Sequence, residues 1–213
     1  MTFPPGRYTN KILVIDNFLD DPLMVLKRSR HAEYWPSGRD KSVTGPIHPD
    51  WIDIDLEDEG GHVGVRTRNF HKFDEYLFGY MLYKIAPIYN SKFGIDHQEV
   101  DYDFTFSKLK SDTHDPGLHQ DIHPSLGQAV VAGIIYLNIE PPDPVNNGTV
   151  IIVKDKETGK EKERSIENKF NRLVIYDGGL KHRFNTAWGD TWDDCRLTLN
   201  IFGRFNRDAI MRL

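Results

Sequence analysis

Cysteine is almost absent: Cys195 is the only one in 213 residues. An intramolecular disulfide is excluded, and the chain suits a reducing compartment. No apolar run reaches the roughly 18 residues that a membrane-crossing helix requires. The opening Met1–Arg7 lacks the apolar centre of a signal peptide. The expectation is a cytoplasmic protein with no membrane partner. A basic excess is missing too: 27 Lys and Arg against 32 Asp and Glu leave a net charge of −5. That argues against a general nucleic-acid binder, which shows the opposite balance, although a local basic patch stays open. There is no internal repeat and no long low-complexity segment. What is present is enough chain for one domain with a sizeable core.

The two halves of the chain differ in pattern. Lys11–Asp16 is short, apolar and β-branched, which predicts a buried strand. Asp21 and Pro22 then supply a helix start, because proline lacks only a donor that would be unpaired there; the helix runs to about Ala32. Residues 33–69 are irregular, with an acidic run at Asp50, Asp53, Asp55, Glu57, Asp58 and Glu59. The plain reading is a solvated loop. The sharper one is a flap over a site, with Tyr34, Trp35 and Arg39 as substrate contacts. Phe73, Leu77, Met81 and Ile85 repeat every four residues and predict one helix over 70–89, packed on a sheet.

After Gly94 the period becomes two. Val100, Tyr102, Phe104 and Phe106 alternate with polar residues, predicting a half-buried strand. Further strands are predicted at 129–138, 149–153, 172–176 and 196–202, with Lys154–Arg164 as an exposed hairpin tip. Short strands from residue 100 onward, with helices confined to the first half, predict a mostly β fold. The expectation is a double-stranded β-helix, or jelly roll, with N-terminal helices packed on one sheet. The expected layout is one domain: 1–99 as strand, helices and loop, 100–203 as the jelly-roll core, and 204–213 as a tail.

His119-Gln120-Asp121 is the stretch that carries chemistry. Residues i and i+2 of a strand face one side, so imidazole and carboxylate would converge. With one distant histidine they would form the facial triad that holds non-haem Fe(II) and keeps positions open. His182 is the candidate third ligand, placed after a Gly-Gly turn and before an alternating strand. His97, His114 and His123 compete for these roles. His119 and His123, at i and i+4, would suit zinc on a helix. Pro124 follows at once, however, no glutamate stands beside His119, and no helical stripe surrounds the pair. On the last strand, Leu197, Leu199 and Ile201 face one way. Arg196, Thr198 and Asn200 share the other face, either solvent or barrel interior.

The ordered set His119-Gln-Asp121, Ile134–Asn138, Asn147-Gly-Thr149, Arg172–Tyr176, His182 and Arg196-Leu-Thr198 resembles the 2-oxoglutarate/Fe(II)-dependent oxygenases, most closely their prolyl-4-hydroxylase-like branch. Residues 100–203 carry the likeness; Val14–Pro22 adds a much weaker one to the entry segment of small oxygenases. The resemblance implies Fe(II) on His119, Asp121 and His182. It implies 2-oxoglutarate held at its distal carboxylate by Arg196, Thr198 and Tyr136, with O2 as oxidant. It turns Arg196 inward and implies hydroxylation of a C–H bond, of a prolyl or other amino-acid residue or a small molecule, with release of succinate and CO2. The sequence departs from the family in an apparent insertion at 187–194, in Asn147-Gly148 where two glycines are usual, and in Lys108 where some members carry tyrosine. Two other readings stand beside it: a cupin-like metalloenzyme that does not use 2-oxoglutarate, and a jelly-roll binding module with a vestigial metal site.

Overall fold

The protein is described from a computed structural model, which places residues 11–36, 64–113, 117–121, 129–155 and 157–205. Its element order is β1 (Ile12–Ile15), α1 (Pro22–His31), β2 (Trp35–Pro36), β3 (Val65–Arg66), α2 (Glu75–Ile88), β4 (Val100–Leu109), β5 (Ala129–Tyr136), β6 (Thr149–Lys154), β7 (Glu161–Ile166), β8 (Leu173–Asp177), β9 (His182–Phe184) and β10 (Arg196–Phe205). Two antiparallel sheets result. The major sheet runs β1-β8-β5-β10-β4-β3-β2, and the minor one runs β7-β6-β9. This mostly β, two-sheet architecture is the fold class that the strand pattern predicts. Among the described residues no helix is long and apolar enough to cross a membrane.

Alternation along the strands builds two separate cores. On the outer face of the major sheet, Phe104, Phe106, Ile135, Ile175, Leu199 and Ile201 join Val25 and Leu26 of α1 and Leu77, Met81 and Ile85 of α2. The three α2 residues are fully buried, and each such side chain contributes on the order of 1.5–3 kcal/mol. On the inner face, Ala132, Tyr136, Val174 and Tyr176 meet Ile151 and Ile166 of the minor sheet.

Several expectations need correction. The helix expected over 70–89 is broken. A single 3-10 turn spans Phe70–Lys72, Phe73 adopts a non-helical backbone (φ −143°), and Asp74 caps α2 by accepting from the Leu77 N–H at 3.0 Å. A capping carboxylate inside the apolar stripe starts a new helix. Phe73 therefore leaves the buried stripe and is 45% exposed. From Phe104 on the β4 strand is not half-buried: Thr105 and Ser107 are nearly as buried as Phe104 and Phe106, with Asn200 of β10 and Arg66 of β3 opposite them in register. Residues 161–164 are not part of a hairpin tip but the start of β7, whose exposed face admits charged residues. The last strand runs on to Phe205. Two short strands, β2 and β3, extend the sheet from the irregular region. The acidic run, Arg39, His114 and His123 lie outside the described residues.

Candidate metal centre

His182 opens β9, which pairs with β6 through Ile151↔His182. On the far edge of β9, His119 makes one antiparallel bridge to it. Both backbone bonds of that bridge form: the His119 N–H donates to the His182 carbonyl at 3.0 Å, and the His182 N–H to the His119 carbonyl at 2.8 Å. Residues opposed in this way project to one side, and the two rings meet at 4.5 Å between centroids. Asp121 is two positions on and turns to the same side. Its N–H donates to the Gly178 carbonyl at 2.9 Å, and the Gln120 amide donates to the Gly179 carbonyl. The Gly-Gly turn before His182 thus braces the backbone of the other two.

The result is a group of three donor atoms, one from each of His119, Asp121 and His182, all within 4.8 Å of one another. Asp121 Oδ2 lies 3.2 Å from His182 Nε2, and Oδ1 lies 4.0 Å from His119 Nε2. Each ring is oriented from behind: His119 Nδ1–H donates to the Gly117 carbonyl at 3.1 Å and His182 Nδ1–H to the Leu180 carbonyl at 2.9 Å. A carbonyl only accepts, so each Nδ1 carries a proton and Nε2 is the nitrogen left to ligate; at His182 it faces the Asp121 carboxylate, which favours a proton there that a metal would displace. Burial pushes the Asp121 carboxyl up, but His182, His119 and Arg66 outweigh it, and the group is held below the ordinary carboxylate value. Burial pulls His182 down; Asp121 and the Leu180 carbonyl outweigh that and raise it. A carboxylate kept ionised among neutral-capable imidazoles is the protonation state that ligation needs. Exposure of the side chains falls from 41% for His119 to 18% for Asp121 and 7% for His182, so the cluster is open on one side. Two imidazole nitrogens and one carboxylate oxygen with an open side fit a first-row divalent metal such as Fe(II).

Beneath the cluster lies a buried cation. Arg196 is 4% exposed and sits on the inner face of β10, in the barrel interior. Its Nε donates to the Asn147 carbonyl at 3.4 Å, and its guanidinium lies 5.7 Å from the Tyr136 ring and 5.9 Å from the Phe184 ring. Burial pulls its pKa down, and among the described residues no carboxylate comes within ion-pair reach. A buried charge without a counter-ion is costly, and this one could hold an anion. Tyr136 donates to Thr149 Oγ1 at 2.8 Å, and Thr198, opposite Tyr136 in register, donates to Asn200 Oδ1 at 2.8 Å. Gly148 permits this packing: a Cβ there would overlap the Ile166 carbonyl.

Other candidates fall elsewhere. Tyr34 is on the outer face, donating to the Ser29 carbonyl at 3.0 Å beneath the Lys108 ammonium, so it does not line this interior. His97 belongs to a turn before β4 and is not in the three-residue cluster. Trp35 pairs opposite Arg66 at the sheet edge. Two residues beside the site escaped the sequence reading. Thr149 stands there in a strand and in the Asn147-Gly-Thr149 motif, with no role assigned to it. Arg66 was lost in an irregular stretch; its signal, Val65-Arg66-Thr67, is too short to announce a strand.

No known family model matches the chain, and no curated protein matches its sequence. Solved structures do match. A prolyl hydroxylase from Trichoplax adhaerens, in complex with a peptide fragment of the hypoxia inducible factor oxygen degradation domain, aligns at TM-score 0.61 and 15% identity, over 94% of this chain and 86% of that one. A Pseudomonas putida prolyl-4-hydroxylase aligns at 0.53 and 19% over 94% of both chains. HygX from Streptomyces hygroscopicus, with nickel, 2-oxoglutarate and hygromycin B bound, aligns at 0.58 and 11%, over 92% of this chain and 83% of that one. The chain shares the fold of these three proteins.

Proposed function

We propose that the chain is a single oxygenase domain that uses Fe(II) and 2-oxoglutarate to hydroxylate a C–H bond of a primary substrate, with helices backing one sheet of a jelly roll. His119, Asp121 and His182 would hold the metal through both Nε2 atoms and one carboxylate oxygen. The observation that carries this reading is the convergence of those three donor atoms above a buried Arg196 that lacks a carboxylate partner among the described residues. A jelly-roll fold shared with prolyl hydroxylases and HygX supports it.

When bound, the metal and 2-oxoglutarate supply the oxidising chemistry: one atom of O2 goes to the substrate hydroxyl, the other to succinate, and CO2 leaves. The chain's own residues bind, orient and shield. Arg196 offers a planar fork that matches a carboxylate with two parallel hydrogen bonds. Tyr136 and Thr149 would complete that end; Thr198 borders it. The Phe184 and Tyr136 rings keep water from the guanidinium, which strengthens its hold on an anion. The carbonyls of Gly117 and Leu180 keep both imidazoles aimed.

The test is anaerobic addition of 2-oxoglutarate to the Fe(II)-loaded protein. A visible charge-transfer band is expected, followed by succinate release once O2 and a substrate are admitted. Iron retained without a band or succinate would favour a metalloenzyme that does not use 2-oxoglutarate.

A further inference from the structure

Toward the β3 edge the inner face of the major sheet turns polar. Register places Arg66 opposite Ser107, Thr105 opposite Asn200, and Asp103 opposite Phe202. Arg66 is 7% exposed, and its guanidinium lies 5.3 Å from the Phe202 ring. Arg204 lies 6.0 Å from that same ring and pairs with Asp103 Oδ2 at 3.4 Å. Arg66 also feels the charges of both Asp103 and Asp121, so its head is within electrostatic reach of the candidate metal centre. Two further atoms are buried here without a hydrogen-bond partner among the described residues: Thr105 Oγ1, on a side chain 3% exposed, and Asp103 Oδ1. More than nine in ten buried polar atoms are normally satisfied. Two such atoms on one face, one donor-capable and one acceptor, beside two guanidinia, describe the complement of a ligand with both charges.

We propose that this face is the primary-substrate subsite and that it takes a free zwitterionic α-amino acid. Arg66 and the Thr105 hydroxyl donate to the carboxylate, and Asp103 Oδ1 accepts from the ammonium. A wholly anionic group such as a phosphate would meet the Asp103 carboxylate. A residue within a polypeptide offers only a neutral carbonyl and N–H in their place, so it could bond to Thr105 and Asp103 but would answer neither charge. The assignment rests on the oxygenase reading above.

The experiment uses the full chain loaded with Fe(II) and 2-oxoglutarate. Free L-α-amino acids are compared with their own α-carboxamides and N-acetyl derivatives, reading succinate release and its half-saturation. At least one free amino acid should stimulate release, with both derivatives requiring about 10- to 100-fold more, the effect of losing one charge-assisted hydrogen bond. Arg66→Gln should raise half-saturation for the acid by a similar factor and leave that for the carboxamide in place, while the anaerobic band persists. Should that variant not fold, the isosteric Thr105→Val should still raise half-saturation several-fold. The proposal is overturned if every free amino acid is silent while the band forms, if acid and carboxamide act alike, or if both variants bind the acid as the parent does. A parent protein without the band brings down the oxygenase reading itself, and this assignment with it.

Discussion

Replacing Arg196 with methionine should move two quantities in opposite directions. Methionine is similar in length and adapts to irregular space. In the protein without ligands, the substitution removes a buried guanidinium that has no carboxylate in reach, and relief of that desolvation is worth several kcal/mol. What it forfeits is smaller: one long bond to the Asn147 carbonyl at 3.4 Å, a hydrogen bond to the Tyr136 hydroxyl and two ring contacts, each of order 0.5–2 kcal/mol. The ligand-free stability should therefore hold or rise. Binding of 2-oxoglutarate should suffer instead, because a buried carboxylate loses its only cation. That loss is about 2–5 kcal/mol, or roughly 30-fold to a few thousand-fold in Kd. The assay pairs denaturant unfolding of the ligand-free protein with anaerobic titration of 2-oxoglutarate into the Fe(II) form. Iron stoichiometry should not change, since Arg196 is not among the three donors. A variant that loses more than about 2 kcal/mol of ligand-free stability yet keeps its 2-oxoglutarate affinity would refute the reasoning, making Arg196 a structural residue.

Three smaller predictions follow from the same geometry. Tyr136→Phe removes the hydroxyl that donates to Thr149 and should weaken 2-oxoglutarate binding about 3- to 10-fold in the anaerobic titration, with iron binding intact. Gly148→Ala forces a Cβ into the Ile166 carbonyl and should cost about 1–3 kcal/mol in denaturant unfolding; an unchanged midpoint would mean that the chain entering β6 lies less close to β7 there. Asp16 accepts from Arg172 at 2.6 Å and from Lys169 at 2.7 Å, and those hydrogen bonds hold its carboxyl far below the ordinary 3.8. A lowered carboxylate pKa stabilises above the unfolded value and is lost as pH falls through the folded one. Asp16 is over a third exposed, so Asp16→Asn should cost only about 0.2–1 kcal/mol at neutral pH. The gap to the parent should close in acid below the ordinary carboxylate range and shrink in high salt.

Elements with a strong period were legible in the sequence. The α1 start at Asp21-Pro22, the strands β1, β4, β5, β6, β8 and β10, and the outer core of Leu77, Met81 and Ile85 all follow from patterns longer than four residues. What failed has a common cause. A period reports which residues share a face, not what covers that face. Thr105 and Ser107 read as solvent-facing because they are polar, yet both are buried. Phe73 fits the helical spacing, but the Asp74 side chain takes the Leu77 N–H and restarts the helix one residue later. The short strands β2 and β3 hold two residues each, too few to show a period, and they exist because β4 offers a free edge to pair with.

The same limit explains which parts of the candidate site could be read. His119, Asp121, His182 and Arg196 are separated along the chain, and alternation leaves Arg196 facing either water or the interior. Only the second sheet decides, and it does so through polar bookkeeping at single atoms rather than through any run of residues. The outer face of the major sheet is filled mainly by apolar side chains packed against α1 and α2. The inner face carries Arg196, with no carboxylate in ion-pair reach among the described residues, and the Thr105 hydroxyl and Asp103 Oδ1, with no hydrogen-bond partner there. Burying such groups without partners would be destabilising by several kcal/mol. A fold that retains them on one face, in register beside three converging donor atoms, is arranged for bound ligands to complete it. Stability should therefore rise on adding 2-oxoglutarate with a divalent metal far more than on adding either alone.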